Sequence, residues 1–179
     1  MKVIFYKWLI ANGGKLTPTE KILYSNIVRS AINRAEGVYD ENGDYVGYAL
    51  DDYKELELPT FSQNSFAKKT KIVTQAALSI AHKGLIEKGY INSFLGTITI
   101  NSIYKHGYFE LLIDSGLKGE ILIFYSWLKE LSDGNKIFAN IKRLAELYCC
   151  TTIAIKDYLF RLRKKHLVER DSNGNLIIK

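Results

Sequence analysis

The sequence has little cysteine and little histidine, with two cysteines and three histidines among 179 residues. The two cysteines, Cys149 and Cys150, are adjacent, and a disulfide between neighbours would be strained. This favours a reducing compartment and predicts a cytoplasmic protein. The cysteines and His166 match no zinc-binding spacing. We therefore predict no metal site, and we expect Cys150 to pack as a small apolar residue.

The histidines are scattered along the chain, which argues against one class of nuclease. A rolling-circle nickase needs a His-x-His pair to hold its metal, and His82, His106 and His166 form no such pair. The sequence also lacks the Gly-x-x-x-x-Gly-Lys-Ser/Thr phosphate loop, which excludes the usual helicase and loader ATPases. His82 is predicted on the inward face of a helix. We predict no catalytic residues, no cofactor and no enzymatic activity.

Long apolar runs are also missing. No uninterrupted run approaches the roughly 18 residues that a membrane span needs, so we predict no membrane partner. Residues Met1–Trp8 carry charge within their apolar run and have no small-residue cleavage site, unlike a signal peptide. We interpret them as a strand or short lead-in that packs on the first domain.

Apolar and aromatic residues are plentiful, at 47% and 12% of the chain, which is enough for packed cores. One stretch, residues 144–168, has the apolar spacing of a helix-turn-helix. Leu144, Ala145 and Leu147 are expected on one face of a short first helix, with Cys149–Cys150 in the turn. A second helix is indicated by apolar side chains at helical spacing. These inward-facing side chains are Ile155, Tyr158, Leu159 and Leu162.

Strand patterns follow this second helix. An apolar strand is predicted at Leu167–Val168, a polar turn at Ser172–Asn175, and another strand at Leu176–Ile178. Two helices followed by a β-hairpin make up a winged helix, a variant of the helix-turn-helix. The second helix of such a unit has the size to enter the major groove of DNA.

The same order of patterns occurs earlier in the chain. Phe66–Thr70 resembles the first short helix, and Thr74–Lys88 the second, with Leu78, Ala81, His82 and Leu85 facing inward. A shift of 77 positions brings the two second helices into register, with one extra residue in the turn of the first copy. We therefore predict an α+β fold, mainly helical, with two tandem winged-helix (helix-turn-helix) domains. The first would span residues 1–114, with an inserted acidic hairpin, and the second residues 115–179.

The net charge of +6 is distributed unevenly. Residues 115–179 hold twelve Lys/Arg and seven Asp/Glu, a net of +5, whereas residues 1–114 hold thirteen and twelve, a net of +1. Within the first part, residues 36–57 carry eight acids and one lysine, a net of −7. A basic C-terminal half is typical of proteins that bind polyanions. The acidic segment would repel DNA, so we expect it to meet a protein partner, including a second copy of this chain, or to be a solvated hairpin.

Local signals predict further elements. Thr17–Glu20 is a capping box with proline at the first helical position, and it predicts a helix to about Ile32. Aromatic and β-branched residues flank Asn42-Gly43 and predict a hairpin over residues 38–48, followed by a loop through residues 58–60. Alternating patterns predict one sheet with an extended wing, formed by residues 90–94, 97–103 and 108–113, with turns at Gly96 and Lys105–Gly107. The second half is expected to contain a helix at Leu117–Leu131, an edge strand at Lys136–Phe138 and a helix capped by Asn140.

Two segments resemble a known family. Leu16–Tyr24, followed by the acidic Val38–Val46, is similar to the N-terminal winged helix of RepA-type replication initiators, which serve plasmids and phages of low-GC and gut bacteria. The resemblance covers roughly residues 3–92. It implies a protein of the bacterial cytosol that binds repeated sites at a replication origin, or one that regulates transcription in a mobile element. The turn here is one residue longer, and a second winged helix follows where that family has a divergent region.

Helix geometry predicts the side chains that face DNA. In the second unit the threonines and Lys156 are placed to reach phosphates or base edges, and the later basic residues to reach phosphates. In the first unit Gln75 is the best candidate for a bidentate contact to adenine. Asp157 is unfavourable beside phosphate unless it accepts a hydrogen bond from a cytosine. The predicted DNA-binding residues are Lys68, Lys69, Lys71, Thr74, Gln75, Ser79, Thr151, Thr152, Lys156, Phe160, Arg161, Arg163, Lys164 and Lys165.

Two function classes are consistent with these patterns. The first is a sequence-specific double-stranded DNA binder, acting as a replication initiator or as a regulator of a plasmid, phage or other mobile element. The second is a protein-interaction adaptor that keeps the winged-helix architecture without DNA contact. The acidic segment 36–57, Asp157 and the nearly neutral first domain favour the second. The recognition units and the basic second half favour the first.

Overall fold

A computed structural model describes residues 2–12, 14–32, 38–39, 45–47, 56–58, 61–101 and 107–179. Its first elements are strand β1 (Ile4–Tyr6), the short helix α1 (Trp8–Asn12) and the long helix α2 (Pro18–Ile32). The predicted capping box opens α2, where the Thr17 amide donates to Glu20 Oε2 at 2.6 Å and the Glu20 amide donates to Thr17 Oγ1 at 3.3 Å. The predicted start and end of this helix are confirmed.

Two strands of the predicted hairpin follow α2. Strand β2 (Val38–Tyr39) pairs antiparallel with β3 (Tyr45–Gly47), which confirms the strands of the hairpin, while its Asn-Gly turn lies outside the described residues. Most of the acidic segment 36–57 lies outside them too, as does Pro59–Thr60. Strand β4 (Leu56–Leu58) was not predicted, and it ends at the first residue of the loop expected over residues 58–60. Three residues are too few to give a periodic pattern, so this strand was missed.

The first helix-turn-helix is formed by α3 (Gln63–Thr70) and α4 (Gln75–Glu87), and strands β5 (Ile91–Phe94) and β6 (Thr97–Ile100) follow it. Helix α3 begins before the predicted Phe66, because Ser62 Oγ caps it by accepting from the Ser65 amide at 3.2 Å. Helix α4 agrees with the predicted Thr74–Lys88, since these two residues are its caps.

The second half begins after strand β7 (Tyr108–Glu110) and a 3₁₀ turn (Ile113–Ser115). Helix α5 starts two residues later than predicted, and Asn140 caps the next helix as predicted, accepting from the Arg143 amide at 2.9 Å. The remaining elements are α5 (Gly119–Leu131), β8 (Lys136–Ile137), α6 (Ile141–Leu147), α7 (Thr152–Lys164), β9 (Val168–Arg170) and β10 (Leu176–Ile178).

The two halves repeat one order of elements: helix, strand, helix, helix, strand, strand. In each half the last strand lies between the other two in a three-stranded antiparallel sheet, β4-β6-β5 in the first and β8-β10-β9 in the second. The inserted pair β2-β3 breaks this order only in the first half. We refer to α2 and β4–β6 with the helices between as the first unit, and to α5 through β10 as the second unit.

The repeat extends to single backbone positions. Gly89 and His166, which are 77 positions apart, both have left-handed backbone conformations, with φ of 74° and 56°. The amide before β5, that of Tyr90, donates to the Leu85 carbonyl, and the equivalent amide of Leu167 donates to the Leu162 carbonyl. Helices α4 and α7 therefore end in the same way, by bonding the amide after a left-handed residue back into the last turn.

The two helix-turn-helix turns differ by the predicted extra residue. Each first helix ends near a left-handed residue, Lys71 with φ of 57° or Cys149 with φ of 51°. Each second helix begins after a capping threonine, Thr74 or Thr151. Two residues separate Lys71 from Thr74, but Cys150 alone separates Cys149 from Thr151.

One expectation about the first sheet was wrong. The strand predicted over residues 108–113 does not extend the wing; β7 instead pairs antiparallel with β1, with Phe5 opposite Phe109. Both rings are buried, with centroids 5.3 Å apart. Alternation in a sequence indicates a strand but not its partner, and burial of these rings decides the pairing here. Most of the predicted turn Lys105–Gly107 lies outside the described residues. The N-terminal residues, expected to be a strand or a short lead-in, contain the strand β1, which packs against α2.

One continuous cluster of buried side chains runs through both units. Its central element is α5, in which every residue from Leu122 to Leu128 is buried, and α5 contacts α2, β7 and α7. A helix that is apolar around most of its circumference is buried on most sides. Along the described ranges, none of the helices combines the length and apolar character needed to cross a bilayer.

In α6 the predicted inward residues Leu144 and Ala145 are buried, but Leu147 is exposed. Tyr148 takes the inward position instead, because residues 144, 145 and 148 share one side of the helix while 147 lies on its flank. The Tyr148 hydroxyl donates to Glu120 Oε1 at 2.8 Å, and this hydrogen bond links α6 to α5. Burial and the neighbouring Glu120 carboxylate raise the pKa of Tyr148 well above its ordinary value.

An ion pair between the buried Glu20 and the more exposed Lys88 joins α4 to α2. The carboxylate of Glu20, a residue only 4% exposed, accepts from Lys88 Nζ at 2.7 Å as well as from the Thr17 amide. Gly84 leaves room for it, since a Cβ there would lie 2.0 Å from Glu20 Oε1. Burial acts to raise the pKa of Glu20, but the hydrogen bonds from Lys88 and Thr17 outweigh it and leave the pKa below its ordinary value.

Candidate nucleic-acid interface

Helix α7 is held to the core by one face. The predicted inward residues Ile155, Leu159 and Leu162 are buried, and Tyr158 is half-buried with its ring 5.1 Å from that of Phe124. This contact with α5 orients the opposite face of α7 toward solvent. The side chains on that face are therefore presented on a rigid element.

The outward face of α7 mixes basic and apolar side chains. Lys156, Phe160 and Lys164 follow one another at four-residue spacing, and all three are exposed. Lys164 Nζ lies 4.6 Å from the centroid of the Phe160 ring, within cation–π distance. Ile153, which the sequence prediction omitted, is also exposed on this face. An apolar side chain here is suited to contact the methyl group of thymine.

Asp157 interrupts this basic face. Its Oδ2 lies 2.9 Å from Arg161 Nη2, one turn later on α7. Both side chains are substantially exposed, so the pair contributes little to stability. It does partly neutralise Arg161, which was predicted to bind phosphate.

The other predicted basic residues of α7 lie on its two flanks. Arg163 lines a shallow surface groove with His166 and Arg170, beside strand β9. Arg161 and Lys165 lie on the opposite flank, beside the residues that precede α5. The structure therefore separates the basic residues that the sequence placed together at the end of this helix.

Thr74 and Thr151, both predicted to contact DNA, also cap the helices that follow them. Thr151 Oγ1 accepts from the Ala154 amide and Thr74 Oγ1 accepts from the Ala77 amide, both at 3.2 Å. Each hydroxyl retains its own hydrogen, which is free to be donated outward. Thr152, the first residue of α7, is exposed as predicted.

In the first unit the predicted residues Lys68, Lys69 and Lys71 are exposed around the end of α3, and Gln75 is exposed at the start of α4. Ser79 is also exposed, but its hydroxyl lies 2.9 Å from Gln63 Oε1 and 3.1 Å from the Gln75 carbonyl oxygen. A single hydroxyl hydrogen engaged within the protein makes Ser79 the weakest member of the predicted set.

Two exposed features of the first unit were missed by the sequence prediction. Lys83 adds a positive charge to the exposed face of α4, and Ile80 is 73% exposed on the same face. Helical spacing from the buried Leu78 and Leu85 would have revealed both. Residues 62–88 carry five lysines and one acid, so the helix-turn-helix of the first unit is itself basic.

The hairpins β5–β6 and β9–β10, which occupy the position predicted for a wing and are referred to by that word, differ between the two units. The first turns at Leu95 and Gly96, both left-handed with φ of 47° and 84°, and leaves Phe94 and Leu95 76% and 88% exposed. In the second, the Asp171 carboxylate accepts from the amides of Asn173 and Asn175, both at 2.9 Å. One wing tip is therefore apolar and the other polar.

Two further titratable side chains, His82 and Cys150, have pKa values shifted by burial. Burial lowers the pKa of the half-buried His82 and raises that of the Cys150 thiol, which disfavours the charged form of each. In the part of the chain that is described, no group of three or more His, Cys, Asp or Glu side chains is arranged to hold a metal ion.

Comparisons of the chain with protein-family models, with curated proteins and with solved structures found no match. Its function must therefore be inferred from its own sequence, fold and surface.

Proposed function

We propose that this chain binds double-stranded DNA in a sequence-specific manner through two winged-helix units, with α4 and α7 as the helices that enter major grooves. The proposal is supported by the two helices followed by a β-hairpin in each unit, and by the three-stranded sheet to which each hairpin belongs. Each second helix is rigidly seated on the core and presents its opposite face to solvent. This is the arrangement in which a helix-turn-helix binds DNA.

The observation that carries the proposal is the charge of the α6–α7 segment. Residues 140–166 carry seven Lys/Arg and two Asp/Glu, and all seven basic side chains are exposed. Phosphate contacts by such side chains supply most of the affinity for DNA, and exposed groups at the start of the helix supply base contacts. Lys156 and Thr152 occupy that early position on α7.

The biological role is proposed from the sequence resemblance to RepA-type initiators. We assign the protein to a plasmid, phage or other mobile element of a bacterium, where it acts in the cytoplasm as a replication initiator or as a regulator of replication or transcription. Locating a bound sequence in an origin or in a promoter distinguishes these roles.

A triple variant tests DNA binding. Lys156, Arg161 and Lys164 are changed to alanine together, and binding to duplex DNA is followed at about 50 mM salt, where phosphate contacts are strongest. The wild type is expected to bind, and the variant to bind much more weakly. Circular dichroism of both proteins checks that the fold is intact. A wild type that binds no duplex under these conditions contradicts the proposal.

A second candidate, a protein-interaction adaptor, is favoured by the exposed apolar residues of the first unit. Ile80, Phe94 and Leu95 are all more than half exposed, and Asp157 faces outward between the basic residues of α7. The same triple variant separates the candidates. An adaptor that binds a partner through the first unit would be indifferent to the loss of three charges on α7.

A further inference from the structure

A surface groove lies on the flank of α7, beside the residues that precede α5. It has a volume of about 450 Å³. Its floor is apolar and formed by Leu117 and Ile121, while its other lining side chains are basic: Lys118, Arg161, Lys164 and Lys165. The chemistry of the groove therefore suits an anion attached to a small apolar body.

The repeat between the two units shows what occupies the equivalent place in the first unit. A shift of 77 positions relates Gly84 to Arg161 and Lys88 to Lys165. At that place in the first unit, the Glu20 carboxylate binds Lys88 and lies against Gly84. The first unit thus fills the position with an anion of its own.

The second unit has no such anion at the equivalent position of α5. Its Glu120, one residue earlier, accepts from Tyr148 instead, and Asp157 on α7 itself pairs with Arg161. Glu20 is the third residue of α2, and the third residue of α5 is Ile121. The cap of α2 is Thr17, whose amide also binds the Glu20 carboxylate, whereas α5 is preceded by Lys118, which makes no side-chain capping bond. Lys165, the equivalent of Lys88, thus lines a groove that has an apolar floor in place of a carboxylate.

We propose that this groove binds a backbone phosphate of double-stranded DNA, with the adjoining deoxyribose against Leu117 and Ile121. The inference depends on the proposed function, because α7 must lie in the major groove for a DNA strand to pass here. A helix in a major groove has a phosphate backbone along each flank. Arg163 serves the strand beside the wing, and the groove serves the other strand.

This assigns DNA contact to Lys118, a residue outside the helix-turn-helix. Lys118 is exposed and immediately precedes α5. Because a phosphate contact carries no base information, Lys118 is expected to contribute affinity equally for every sequence. Loss of Lys118 should therefore weaken binding to all duplexes alike, whereas loss of Lys156, which is placed to reach bases, should weaken binding to some duplexes more than to others.

The test measures affinity against salt concentration for Lys118→Ala on two duplexes, one selected by the wild type and one unrelated. Lys129→Ala is the matched control, since Lys129 lies in the last turn of the same helix and bonds to Asn135 at 2.7 Å. Loss of one phosphate contact reduces the slope of log K against log salt by about 0.9. We expect this reduction for Lys118→Ala on both duplexes, and an unchanged slope for Lys129→Ala.

A second variant places a carboxylate of the protein in the groove, where the phosphate is proposed to bind. Lys118→Thr combined with Ile121→Glu installs the Thr-x-x-Glu capping box of the first unit at the start of α5. We expect it to fold, as judged by circular dichroism, and to lower the slope at least as much as Lys118→Ala. Inorganic phosphate serves as a probe for binding of a free anion, followed by NMR shifts of the Lys118 and Ile121 amides.

The outcomes are distinct. Wild-type slopes for Lys118→Ala on both duplexes would overturn the phosphate assignment while leaving DNA binding intact. A changed preference between the duplexes would overturn it as well, since that is the signature of base contact. Saturable inorganic phosphate binding without any change of slope would assign the groove to a free anion and also reject the proposal. A wild type that binds no duplex at all would remove the proposed function itself.

Discussion

The two units share one order of elements but use their surfaces differently. In the first unit, Glu20 and Gly84 join α2 closely to α4, and the wing ends in the exposed Phe94 and Leu95. In the second unit, a basic groove separates the start of α5 from the flank of α7, and the wing tip is closed by Asp171. Repetition of a fold therefore does not repeat its surface chemistry.

The two units also differ in which of their positive side chains are open to an external ligand. Lys88 of the first unit is bound to Glu20, whereas the equivalent Lys165 lines an open groove. On α4 the exposed face combines Lys83 with Ile80, and on α7 it combines Lys156 and Lys164 with Phe160. If the chain binds DNA as proposed, this comparison predicts that the second unit supplies most of the electrostatic affinity.

The strongest test of that assignment exchanges three lysines or arginines in each unit for alanine. Lys156, Arg161 and Lys164 are removed in one protein, and Lys68, Lys69 and Lys71 in the other. If all three groups of the second unit contact phosphate, the slope of log K against log salt falls by about 2.7. We expect a smaller reduction for the first unit. Equal losses would erase the proposed difference between the units.

A second test breaks the packing of the first unit. Gly84→Ala places a Cβ against Glu20 Oε1, so the carboxylate must move from Lys88 or Thr17, and we expect a loss of about 1–3 kcal/mol in the free energy of unfolding. The equivalent residue of the second unit is the exposed Arg161, and Arg161→Ala is expected to change stability by less than about 0.5 kcal/mol. Urea unfolding measures both. A tolerated Gly84→Ala would refute the tight α2–α4 junction.

A third test uses acid. The pKa of Glu20 is lower in the folded protein than its ordinary value of 4.5, so its contribution to stability is complete above that pH and is lost as the pH falls through the folded pKa. Glu20→Gln removes this contribution, so the variant should lose less stability than the wild type on acidification. Thermal unfolding between neutral pH and pH values below 4.5 records the difference.

The second unit offers the comparison for this test. Its counterpart of Glu20 is Ile121, which does not titrate. Its wing contains Asp171, whose pKa is lowered by the hydrogen bond from the Asn175 side chain. Because Asp171 is less buried than Glu20, Asp171→Asn should alter the acid dependence less than Glu20→Gln. The opposite ranking would contradict the assignment of the Glu20–Lys88 ion pair as the more acid-sensitive of these two contacts.

The smallest expected effect concerns the wings. Leu95 has a left-handed backbone conformation that favours glycine and asparagine, and Gly96 follows it. Leu95→Asn creates an Asn-Gly turn and is expected to stabilise the protein by roughly 0.5–1 kcal/mol. Phe94→Ser, at a neighbouring exposed position without this conformation, is the control and should be close to neutral. Destabilisation by Leu95→Asn would mean that the leucine side chain makes a contact the protein needs.

Local sequence signals predicted much of the fold. The capping residues Thr17 and Asn140 placed the starts of their helices, and helical spacing identified Leu78, Leu85, Ile155 and Leu162 as buried. These features depend on residues a few positions apart, which a sequence displays directly. The exposure of the predicted DNA-facing residues has the same origin in helical spacing.

Features that depend on distant pairing were not predictable in this way. The pattern of β7 indicated a strand, but its pairing with β1 depends on residues more than a hundred positions away. Glu20 was recognised as a cap, yet its bond to Lys88 required the packing of α2 on α4. The groove beside α7 became evident only when Ile121 was compared with Glu20 in the folded protein.

Selection of bound sequences from a random duplex pool tests the central claim most directly. The wild type and the Lys156/Arg161/Lys164 triple-alanine variant are each incubated with the pool, and the affinity of the recovered sequences is followed against salt. We predict that the wild type recovers a motif with two half-sites, one for each unit, and that the variant loses the half-site read by α7. Recovery of no motif, with only weak binding that disappears as salt rises, would contradict sequence-specific recognition by this protein.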